Sequence, residues 1–310
     1  MKSRESITES LLENLGVGVK FDLPLAPHTS FRIGGPADFF FEALSPWELI
    51  KAVSVSRSLG IEYFILGGGS NLLVSDAGFR GLVIKNSCAA LLTDGENPGV
   101  QSGFWLNELV GKTAELGLSG LEFLAGIPGT VGGAIFGNAG AFGKSIGDLL
   151  ERAVVFNPDK GLETVDRDYF EFDYRSSKLK RSADILISAS FQLESKAAEE
   201  VKRKTEEVRA LRREKHPQNQ GCIGCFFKNI KDEGRTIHAG KLLEQVGAKE
   251  MAVGEAAVFE QHANIIVNRG GARASEVKEL AEMLKKRVEE RFGYLLEPEV
   301  VFLGEEPEAT

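Results

Sequence analysis

Two glycine-rich segments in the first half of the chain constrain its fold more than any other feature of the sequence. Of the 35 glycines, 24 lie within residues 1–147 and 11 in the remaining 163 residues. They are densest at Gly67–Gly69 and between Gly117 and Gly147. Because glycine has no Cβ atom, such segments let a backbone approach another backbone, or a ligand, unusually closely. The first half of the chain is therefore expected to contain loops built for close approach.

The overall composition is that of an ordinary globular protein. With 310 residues, 43% of them hydrophobic and 26% charged, the chain can form two or three domains, each with its own core. Its net charge of −8 argues against a nucleic-acid-binding protein, which normally presents a basic surface. The three cysteines, Cys88, Cys222 and Cys225, are too few for a disulfide framework and are typical of a reducing compartment. A cytoplasmic location is therefore predicted.

No segment of the sequence indicates export or membrane insertion. The N-terminal segment carries Glu5, Glu9 and Glu13 and lacks the apolar core of a signal peptide. Residues 123–143 are uncharged and have the length of a membrane span, but they include seven glycines and Pro128. An isolated helix of that composition is costly. These residues are instead predicted to form buried loops and short strands around a ligand.

Local patterns predict mixed α and β structure in both halves. Residues 45–48 have the signature of a capped helix start, and Gly60 is expected to end that helix. The apolar run at 61–66 predicts a strand that leads directly into the first glycine cluster. Apolar residues recur at helical spacing across 275–292, which predicts a helix with Val277, Leu280, Leu284 and Val288 on its inward face. A smaller C-terminal α+β domain is expected, with strands at 226–227, 255–259 and 264–267.

The segment Gly67–Asn71, with the sequence GGGSN, has the features of a phosphate-binding loop. Consecutive small residues after a strand let several backbone N–H groups converge on one anion. It matches neither a Rossmann fingerprint, because Leu72 replaces the third glycine, nor a Walker loop, because no lysine follows. A second segment, Gly126–Ala134, offers similarly bare backbone, and two such surfaces suit a diphosphate-linked dinucleotide. A tight turn and close packing of strands are the structural alternatives.

Eight segments, in one order along the chain, carry a resemblance to a known family. They are HTSFRIGGPAD at 28–38, LGGGSNLLVSDAGFRGLVI at 66–84, GLSGLEFLAGIPGTVGGAIFGNAGAFG at 117–143, DYRSS at 173–177, GCFFKN at 224–229, HAGKLLEQVG at 238–247, HANIIVN at 262–268 and LEPEV at 296–300. With these segments the chain resembles the UDP-N-acetylenolpyruvoylglucosamine reductase family, flavoenzymes that form UDP-N-acetylmuramate for bacterial peptidoglycan.

The resemblance implies an α+β fold. It consists of an FAD-binding domain of the vanillyl-alcohol-oxidase (PCMH) type, made of two α+β subdomains, and a smaller C-terminal substrate-binding domain. The implied bounds are an N-terminal helix at 1–20, the FAD-binding domain at 21–205 with subdomains at about 21–85 and 86–205, the C-terminal domain at 206–304 and a tail at 305–310. The residues implied to hold FAD are Gly67, Gly68, Gly69, Ser70, Asn71, Leu72, Ile127, Gly129, Thr130, Gly133 and Ala134.

The resemblance also implies the ligands. NADPH is the implied co-substrate and UDP-N-acetylglucosamine enolpyruvate the implied substrate, both at one site, because the sequence has no separate nicotinamide fingerprint. Only 50 positions separate Arg175 from Cys225, without an added tyrosine-bearing loop, as in the shorter of the family's two subtypes. The protein is expected to be a monomer that binds neither nucleic acid nor membrane.

Three catalytic side chains are implied. Negative charge builds on the substrate carboxylate when hydride reaches the enolpyruvyl β-carbon, and Arg175 matches the arginine that meets this charge. Glu299 matches a glutamate that assists in polarising or protonating the enol. Cys225 occupies the position of the proton donor to the α-carbon, which is usually serine. A thiol with an ordinary pKa of about 8.5 is protonated at neutral pH and can donate, so the cysteine should alter the pH dependence rather than the mechanism.

Four further residues match substrate-binding positions of the family: Tyr174, Lys215, Asn229 and His262. Lys215 and Asn229 correspond to contacts with the substrate diphosphate, and His262 is expected to line the same groove. From composition alone, Lys215 at the end of a charged helix is equally well explained as a solvated side chain.

Cys222 and Cys225 form a C-x-x-C pair, which raises two alternatives. A zinc site needs two more ligands at suitable spacing, and neither Cys88 nor the four histidines supply them. A thioredoxin-type pair should open a helix, whereas a strand is predicted at 226–227. No metal site is therefore predicted. For the whole chain, the alternatives are a flavin oxidase of alcohols or hydroxy acids on the same fold, and a nucleotide-binding module without catalysis.

Overall fold

The structure is a computed structural model of the chain, and it describes residues 3–93, 98–232 and 234–304. The predicted tail at 305–310 lies outside the described residues. The helices are α1 Arg4–Leu15, α2 Pro46–Leu59, α3 Leu106–Glu115, α4 Val131–Phe136, α5 Ala198–Lys215, α6 Ala239–Gln245 and α7 Ala274–Phe292. The strands are β1 Lys20–Pro24, β2 Pro36–Ala43, β3 Tyr63–Leu66, β4 Leu72–Val74, β5 Phe79–Asn86, β6 Leu91–Thr93, β7 Pro98–Gln101, β8 Leu118–Ser119, β9 Gly140–Ala141, β10 Lys144–Ser145, β11 Leu150–Asn157, β12 Gly161–Asp166, β13 Ile185–Phe191, β14 Glu194–Ser195, β15 Gly221–Cys225, β16 Ile230–Asp232, β17 Arg235–Ile237, β18 Ala252–Val253, β19 Ala256–Phe259, β20 His262–Asn268 and β21 Val301–Leu303. The predicted α+β class is confirmed.

The chain divides into two compact units, each assembled from three segments. The first unit comprises Met1–Phe21, Phe39–Gly68 and Gly81–Arg212, and the second comprises Asp22–Asp38, Gly69–Arg80 and Arg213–Thr310. Within each unit, segments that are distant in sequence pack together around a buried apolar core. The domains expected from the sequence divide the chain by function, whereas the two compact units divide it by packing. The units therefore do not test the predicted domain bounds, which stay a prediction.

Two sheets lie largely in the first unit. One has the strand order β1-β2-β5-β3, with β3 parallel to β5, and the other is antiparallel with the order β12-β11-β13-β7-β6. Helix α2 packs its apolar face into the core of the first sheet. Its capping box of Ser45 and Glu48, and the left-handed Gly60 (φ 68°) at its end, confirm the helix bounds predicted from the sequence.

The uncharged stretch 123–143 contains a short helix that the sequence patterns do not predict. Helix α4 begins after Thr130, whose hydroxyl accepts the N–H of Gly133 at 3.3 Å and caps the first turn. The expectation of loops and short strands alone is therefore wrong for 131–136, although β9 is a short strand as expected. Among the residues that the structure describes, no helix is long and apolar enough to cross a membrane.

The second unit is built on the antiparallel sheet β15-β20-β19-β18. Helix α7 buries one apolar face, and the face predicted from the sequence is confirmed: Val277, Leu280, Leu284 and Val288. Strand β4 pairs in parallel with β21, so the residues that follow the first glycine cluster lie beside the C-terminal strand.

Asp76, in the turn after β4, caps helix α7 from 198 positions away along the chain. Its carboxylate accepts the N–H of Ala274 at 2.7 Å and both the N–H and the hydroxyl of Ser275, at 3.1 and 2.8 Å. Partial burial by itself raises the pKa of Asp76, but donation by Ser275 and Ala274 outweighs it, so the pKa lies below its ordinary value of 3.8. The carboxylate therefore stabilises the first turn of α7.

Asp76→Ala is expected to lower the free energy of unfolding by about 1–2 kcal/mol at neutral pH, the usual effect of losing a helix cap. Because the folded-state pKa of Asp76 is depressed, this contribution is present above its ordinary pKa and is lost as the pH falls through the folded-state value. Urea unfolding, with hydrogen exchange at α7, should therefore show wild type and variant converging in acid. Asp159→Ala, which removes an exposed ion pair with Arg57, is the control and should change stability far less. Equal losses in both variants would contradict the capping role.

Candidate active site

The glycines of the first cluster that belong to the first unit lie directly against the second glycine-rich segment. A Cβ atom on Gly67 would lie 2.6 Å from the Thr130 hydroxyl oxygen, and one on Gly68 would lie 2.6 Å from the Gly129 Cα. A side chain at Gly68 is incompatible with the close approach of the Gly129 backbone, and one at Gly67 would displace the Thr130 hydroxyl. Close packing, the structural alternative for these glycines, is thus found at these positions. The same contact brings the two segments together.

This contact contains backbone donors that the fold itself does not use. Within the part of the chain that the structure describes, the N–H groups of Gly68, Gly129 and Thr130 donate to no acceptor. Gly129 and Thr130 are buried, and a buried N–H without an acceptor is costly unless a ligand or water supplies one. A backbone without bulky side chains, whose N–H groups have no protein acceptor among the described residues, is suited to bind the diphosphate of a dinucleotide such as FAD. Three other predicted FAD contacts, Ile127, Gly133 and Ala134, lie within six residues of this point in the same segment.

The remaining residues of the first cluster belong to the second unit. Gly69 has a left-handed φ of 62°, and a Cβ atom there would lie 2.2 Å from the His28 carbonyl oxygen. The Asn71 side-chain amide donates to the Glu299 carbonyl oxygen at 3.0 Å, and the Val301 N–H donates to the Asn71 carbonyl oxygen at 3.1 Å. Ser70 precedes this contact, and Leu72 is buried in β4. The predicted FAD loop is thus tied, within this unit, to the segment that carries Glu299.

Arg175 lies at the tip of a tight turn in the first unit. Asp173 and Ser176 exchange backbone hydrogen bonds at 3.1 Å, and Arg175 between them has a left-handed φ of 55°. Its guanidinium donates to the Gly140 carbonyl oxygen at 3.1 Å and lies 5.5 Å from the Tyr174 ring centroid. The turn is therefore attached to Gly140, the first residue of β9, and it holds a cation beside an aromatic ring.

Asn138, which the sequence analysis does not single out, anchors this turn. It is buried, has a left-handed φ of 43°, and its amide donates to the Asp173 carbonyl oxygen at 2.9 Å. Its side-chain oxygen accepts the Gly147 N–H at 3.2 Å. The only signal in the sequence is an asparagine directly after Gly137, since asparagine tolerates left-handed backbone better than most residues.

Cys225 ends strand β15, and Glu299 lies in the adjacent segment of the same unit. The Glu299 N–H donates to the carbonyl oxygen of Phe226, the residue after Cys225, at 2.8 Å. Phe227 and Pro298 form a β-bridge beside it. Two of the predicted catalytic residues are therefore brought to neighbouring backbone positions although they are 74 residues apart in the sequence.

The strand predicted at 226–227 is wrong, because β15 ends at Cys225. The Asn264 side chain replaces the strand pairing: its oxygen accepts the Phe227 N–H at 2.9 Å and its amide donates to the Phe227 carbonyl oxygen at 2.8 Å. A single side chain thereby turns the backbone out of the sheet just after the cysteine. No helix begins there, so the geometry of a thioredoxin-type pair is not formed.

Cys222 lies in the same strand and packs beside Ile265 and Val267. Burial raises the pKa of its thiol, only partly offset by the Gly224 backbone, so Cys222 stays protonated and acts as a small apolar side chain. Among the described residues, no group of three His, Cys, Asp or Glu side chains is placed to hold one metal ion.

Three predicted substrate-binding residues, Lys215, Asn229 and His262, belong to the second unit. The His262 side chain has several neighbours. Its Nδ1 accepts the Asn264 N–H at 3.3 Å, which leaves the proton of the neutral ring on Nε2, and the ring stacks on His216 with 6.2 Å between centroids. Burial lowers the pKa of His262, and the charges of Lys249 and Lys215 lower it further. Lys215, at the end of α5, is therefore electrostatically coupled to this neutral imidazole. The Asn229 side chain accepts the Ala239 N–H at 3.1 Å and thereby begins α6.

Two known protein families match this chain, one in each part of the sequence. Residues 37–164 match the sequence model of an FAD binding domain, and residues 216–303 match that of the UDP-N-acetylenolpyruvoylglucosamine reductase C-terminal domain. The first match contains the contact between the glycine segments in the first unit, and the second contains Cys225 and Glu299.

Full-length relatives give the same result. The UDP-N-acetylenolpyruvoylglucosamine reductases of Caldicellulosiruptor bescii and Solibacter usitatus are 38% and 39% identical, over 96% and 93% of this chain and 94% and 97% of theirs. The crystal structure of the reductase from Thermus caldophilus is 34% identical, covers 92% of this chain and 98% of its own, and superposes with a TM-score of 0.76. Since relatives this similar match both units over nearly their whole length, the chain belongs to the UDP-N-acetylenolpyruvoylglucosamine reductase family of FAD-dependent oxidoreductases.

Proposed function

We propose that the protein catalyses the NADPH-dependent reduction of UDP-N-acetylglucosamine enolpyruvate to UDP-N-acetylmuramate, in peptidoglycan synthesis. The observation that carries the proposal is the 2.8 Å hydrogen bond between the Glu299 N–H and the Phe226 carbonyl oxygen. It brings the backbone of Glu299 to the residue that follows Cys225, and a carboxylate and a thiol are the proton-handling side chains that we propose for the reduction of the enol ether to a saturated acid. An oxidase would instead need a base in place of the thiol.

FAD, when bound, supplies the hydride for the enolpyruvyl β-carbon. The unfilled N–H groups of Gly68, Gly129 and Thr130 are the proposed donors to its diphosphate, since each is a backbone donor without a protein acceptor among the described residues. Gly67 has no side chain to obstruct this site, and Ala134 has only a methyl group. The remaining FAD contacts predicted from the sequence are proposed with them.

Arg175 is proposed to bind the substrate carboxylate and stabilise the negative charge that forms on it. A planar guanidinium can donate two parallel hydrogen bonds to a carboxylate. Within the first unit its guanidinium donates to the Gly140 carbonyl oxygen at 3.1 Å, which orients the side chain. The Tyr174 ring, whose centroid lies 5.5 Å from the guanidinium carbon, is a proposed substrate contact.

Cys225 is proposed to donate the proton that the α-carbon requires, from its thiol sulfur Sγ. Glu299 is proposed to polarise the enol from the neighbouring segment. Lys215, Asn229 and His262 are proposed substrate contacts in the second unit. His262 is neutral, with Nε2 as donor, so it can bind a carbonyl or phosphate oxygen without adding a charge. Lys215 adds the positive charge that a diphosphate requires.

Anaerobic titration of the purified flavoprotein tests the proposal. NADPH is expected to bleach the flavin absorbance at about 450 nm, and UDP-N-acetylglucosamine enolpyruvate should then restore it, with one equivalent of UDP-N-acetylmuramate formed. UDP-N-acetylglucosamine, which lacks the enolpyruvyl group, is the matched control and should not restore the colour. Recovery with the control, or no recovery with the substrate, would contradict the proposed reaction.

A further inference from the structure

Lys85 is a partly buried lysine beside the contact between the two glycine-rich segments. It lies near the end of β5 and pairs in register with Leu66, the last residue of β3. Its ammonium reaches past the end of β3 and donates to the carbonyl oxygen of Gly67. All the residues involved belong to the first unit.

The bond to Gly67 determines the direction of the next N–H group. The Gly67 carbonyl and the Gly68 N–H belong to the same peptide, and no cis peptide is present in the described chain. In a planar trans peptide the C=O and N–H bonds point in opposite directions. Because the ammonium holds the oxygen on one side, the Gly68 N–H is directed to the other side of the peptide. That N–H is one of the three donors without an acceptor among the described residues.

The surroundings keep this peptide in place. The Lys85 ammonium lies 5.8 Å from the centroid of the Trp105 ring, within range of a cation–π interaction. A Cβ atom on Gly68 would lie 3.2 Å from the Trp105 ring and 2.6 Å from the Gly129 Cα. The peptide is therefore enclosed by the lysine, the tryptophan and the second glycine segment, and glycines, which would otherwise be free to rotate, are held in one orientation.

The positive charge of Lys85 also polarises the Gly67–Gly68 peptide that it orients. A hydrogen bond from an ammonium polarises the peptide that accepts it, and chains of hydrogen bonds strengthen one another in a low-dielectric environment. Burial lowers the pKa of Lys85, and the charge of Glu42 offsets this only in part. A lysine that bears this desolvation cost is poorly explained as a surface solubility residue, since such residues keep the ammonium in water.

We infer that Lys85 is a positioning residue for the diphosphate of FAD: it orients and polarises the Gly67–Gly68 peptide so that the Gly68 N–H donates to a phosphate oxygen. The inference rests on the proposed assignment of FAD to the glycine segments. It adds a residue outside both segments, whose side chain acts through the backbone.

Three substitutions separate the donor from the charge. Lys85→Met removes both, Lys85→Gln keeps a neutral donor, and Lys85→Arg keeps both. The full-length protein, freed of flavin, is titrated with FAD and binding is followed by flavin fluorescence. Lys85→Met is expected to weaken FAD binding about tenfold to a hundredfold, the range for losing a hydrogen bond to a charged group, and Lys85→Arg to restore it to within about threefold. Lys85→Gln should be intermediate.

Salt and pH dependence distinguish this role from a merely structural one. The Met and Gln variants should lose part of the salt dependence of FAD binding, whereas the Arg variant should keep it. In strongly alkaline buffer, affinity should fall for wild type as Lys85 deprotonates and persist for the Arg variant. If Lys85→Met fails to fold as the apoprotein, the Gln and Arg variants still provide this test.

Three reference variants identify which assumption fails. Lys51→Gln changes an exposed lysine on α2 and should bind FAD like wild type. Gly68→Ala should weaken FAD binding if the glycine segments hold FAD, while Gly111→Ala, in open space on α3, should not. Normal binding by Gly68→Ala would contradict the FAD assignment itself. Weak binding by Gly68→Ala together with normal binding by Lys85→Met would overturn the role of Lys85 alone.

Discussion

Cys225→Ala is expected to retain reduction of its bound FAD by NADPH and to lose turnover of the enolpyruvyl substrate by about 10²–10⁴-fold, the range for removing a general acid. The separation follows from the proposed role of Cys225, since a proton donor to the substrate α-carbon takes no part in the transfer of hydride from NADPH to the flavin. Alanine preserves the backbone pairing of residue 225 with Ile265, so the strand itself should be unchanged. Stopped-flow measurement of the two half-reactions gives the result directly.

Two further variants of the same strand control this experiment. Cys225→Ser retains an O–H donor at the same position and should keep much of the activity. Cys222→Ala removes the other thiol of the strand, which packs beside Val267, and should leave both half-reactions unchanged. Normal substrate turnover in Cys225→Ala, or an equal loss in Cys222→Ala, would eliminate Cys225 as the proton donor.

Arg175→Met is expected to slow the substrate half-reaction by about 10²–10³-fold, which is typical for loss of one group that stabilises charge in a transition state. Arg175→Lys should recover only part of this, because an ammonium keeps the charge but loses the planar pair of donors. FAD content and the NADPH half-reaction should be nearly unchanged. The tight turn should persist, since it is held by the backbone bonds of Asp173 and Ser176 and by the Asn138 amide.

The matched control for Arg175 is Arg181→Lys in the same region of the first unit. Arg181 is exposed and pairs with Glu171, so its replacement should leave both half-reactions at wild-type rates. Steady-state KM and kcat for the enolpyruvyl substrate add a second test. If Arg175→Met turned over substrate normally, or lost its FAD as well, the assignment of Arg175 to the substrate carboxylate would be wrong.

Local features of the fold were predictable from local signals. The capping box of α2 and the buried face of α7 each depend on residues within one helix, so their patterns are complete in the sequence. The error at 226–227 has a different origin. Two consecutive phenylalanines favour a strand, but the Asn264 side chain takes both backbone groups of Phe227 and ends the pairing. A competing partner 37 residues away leaves no trace in the local pattern.

By itself, the sequence determined the α+β class, the need for bare backbone in two segments, and, through its eight motifs, the family and the residue types available for chemistry. Only the tertiary structure decided what each glycine does. Gly68 must be bare because Gly129 lies against it, and Gly69 because His28 does. It also decided that Lys85 holds the Gly67 carbonyl and that Glu299 lies beside the strand of Cys225. The physical reason is that propensities and caps act over a few residues, whereas these contacts join strands and loops that meet only after the chain has packed its cores.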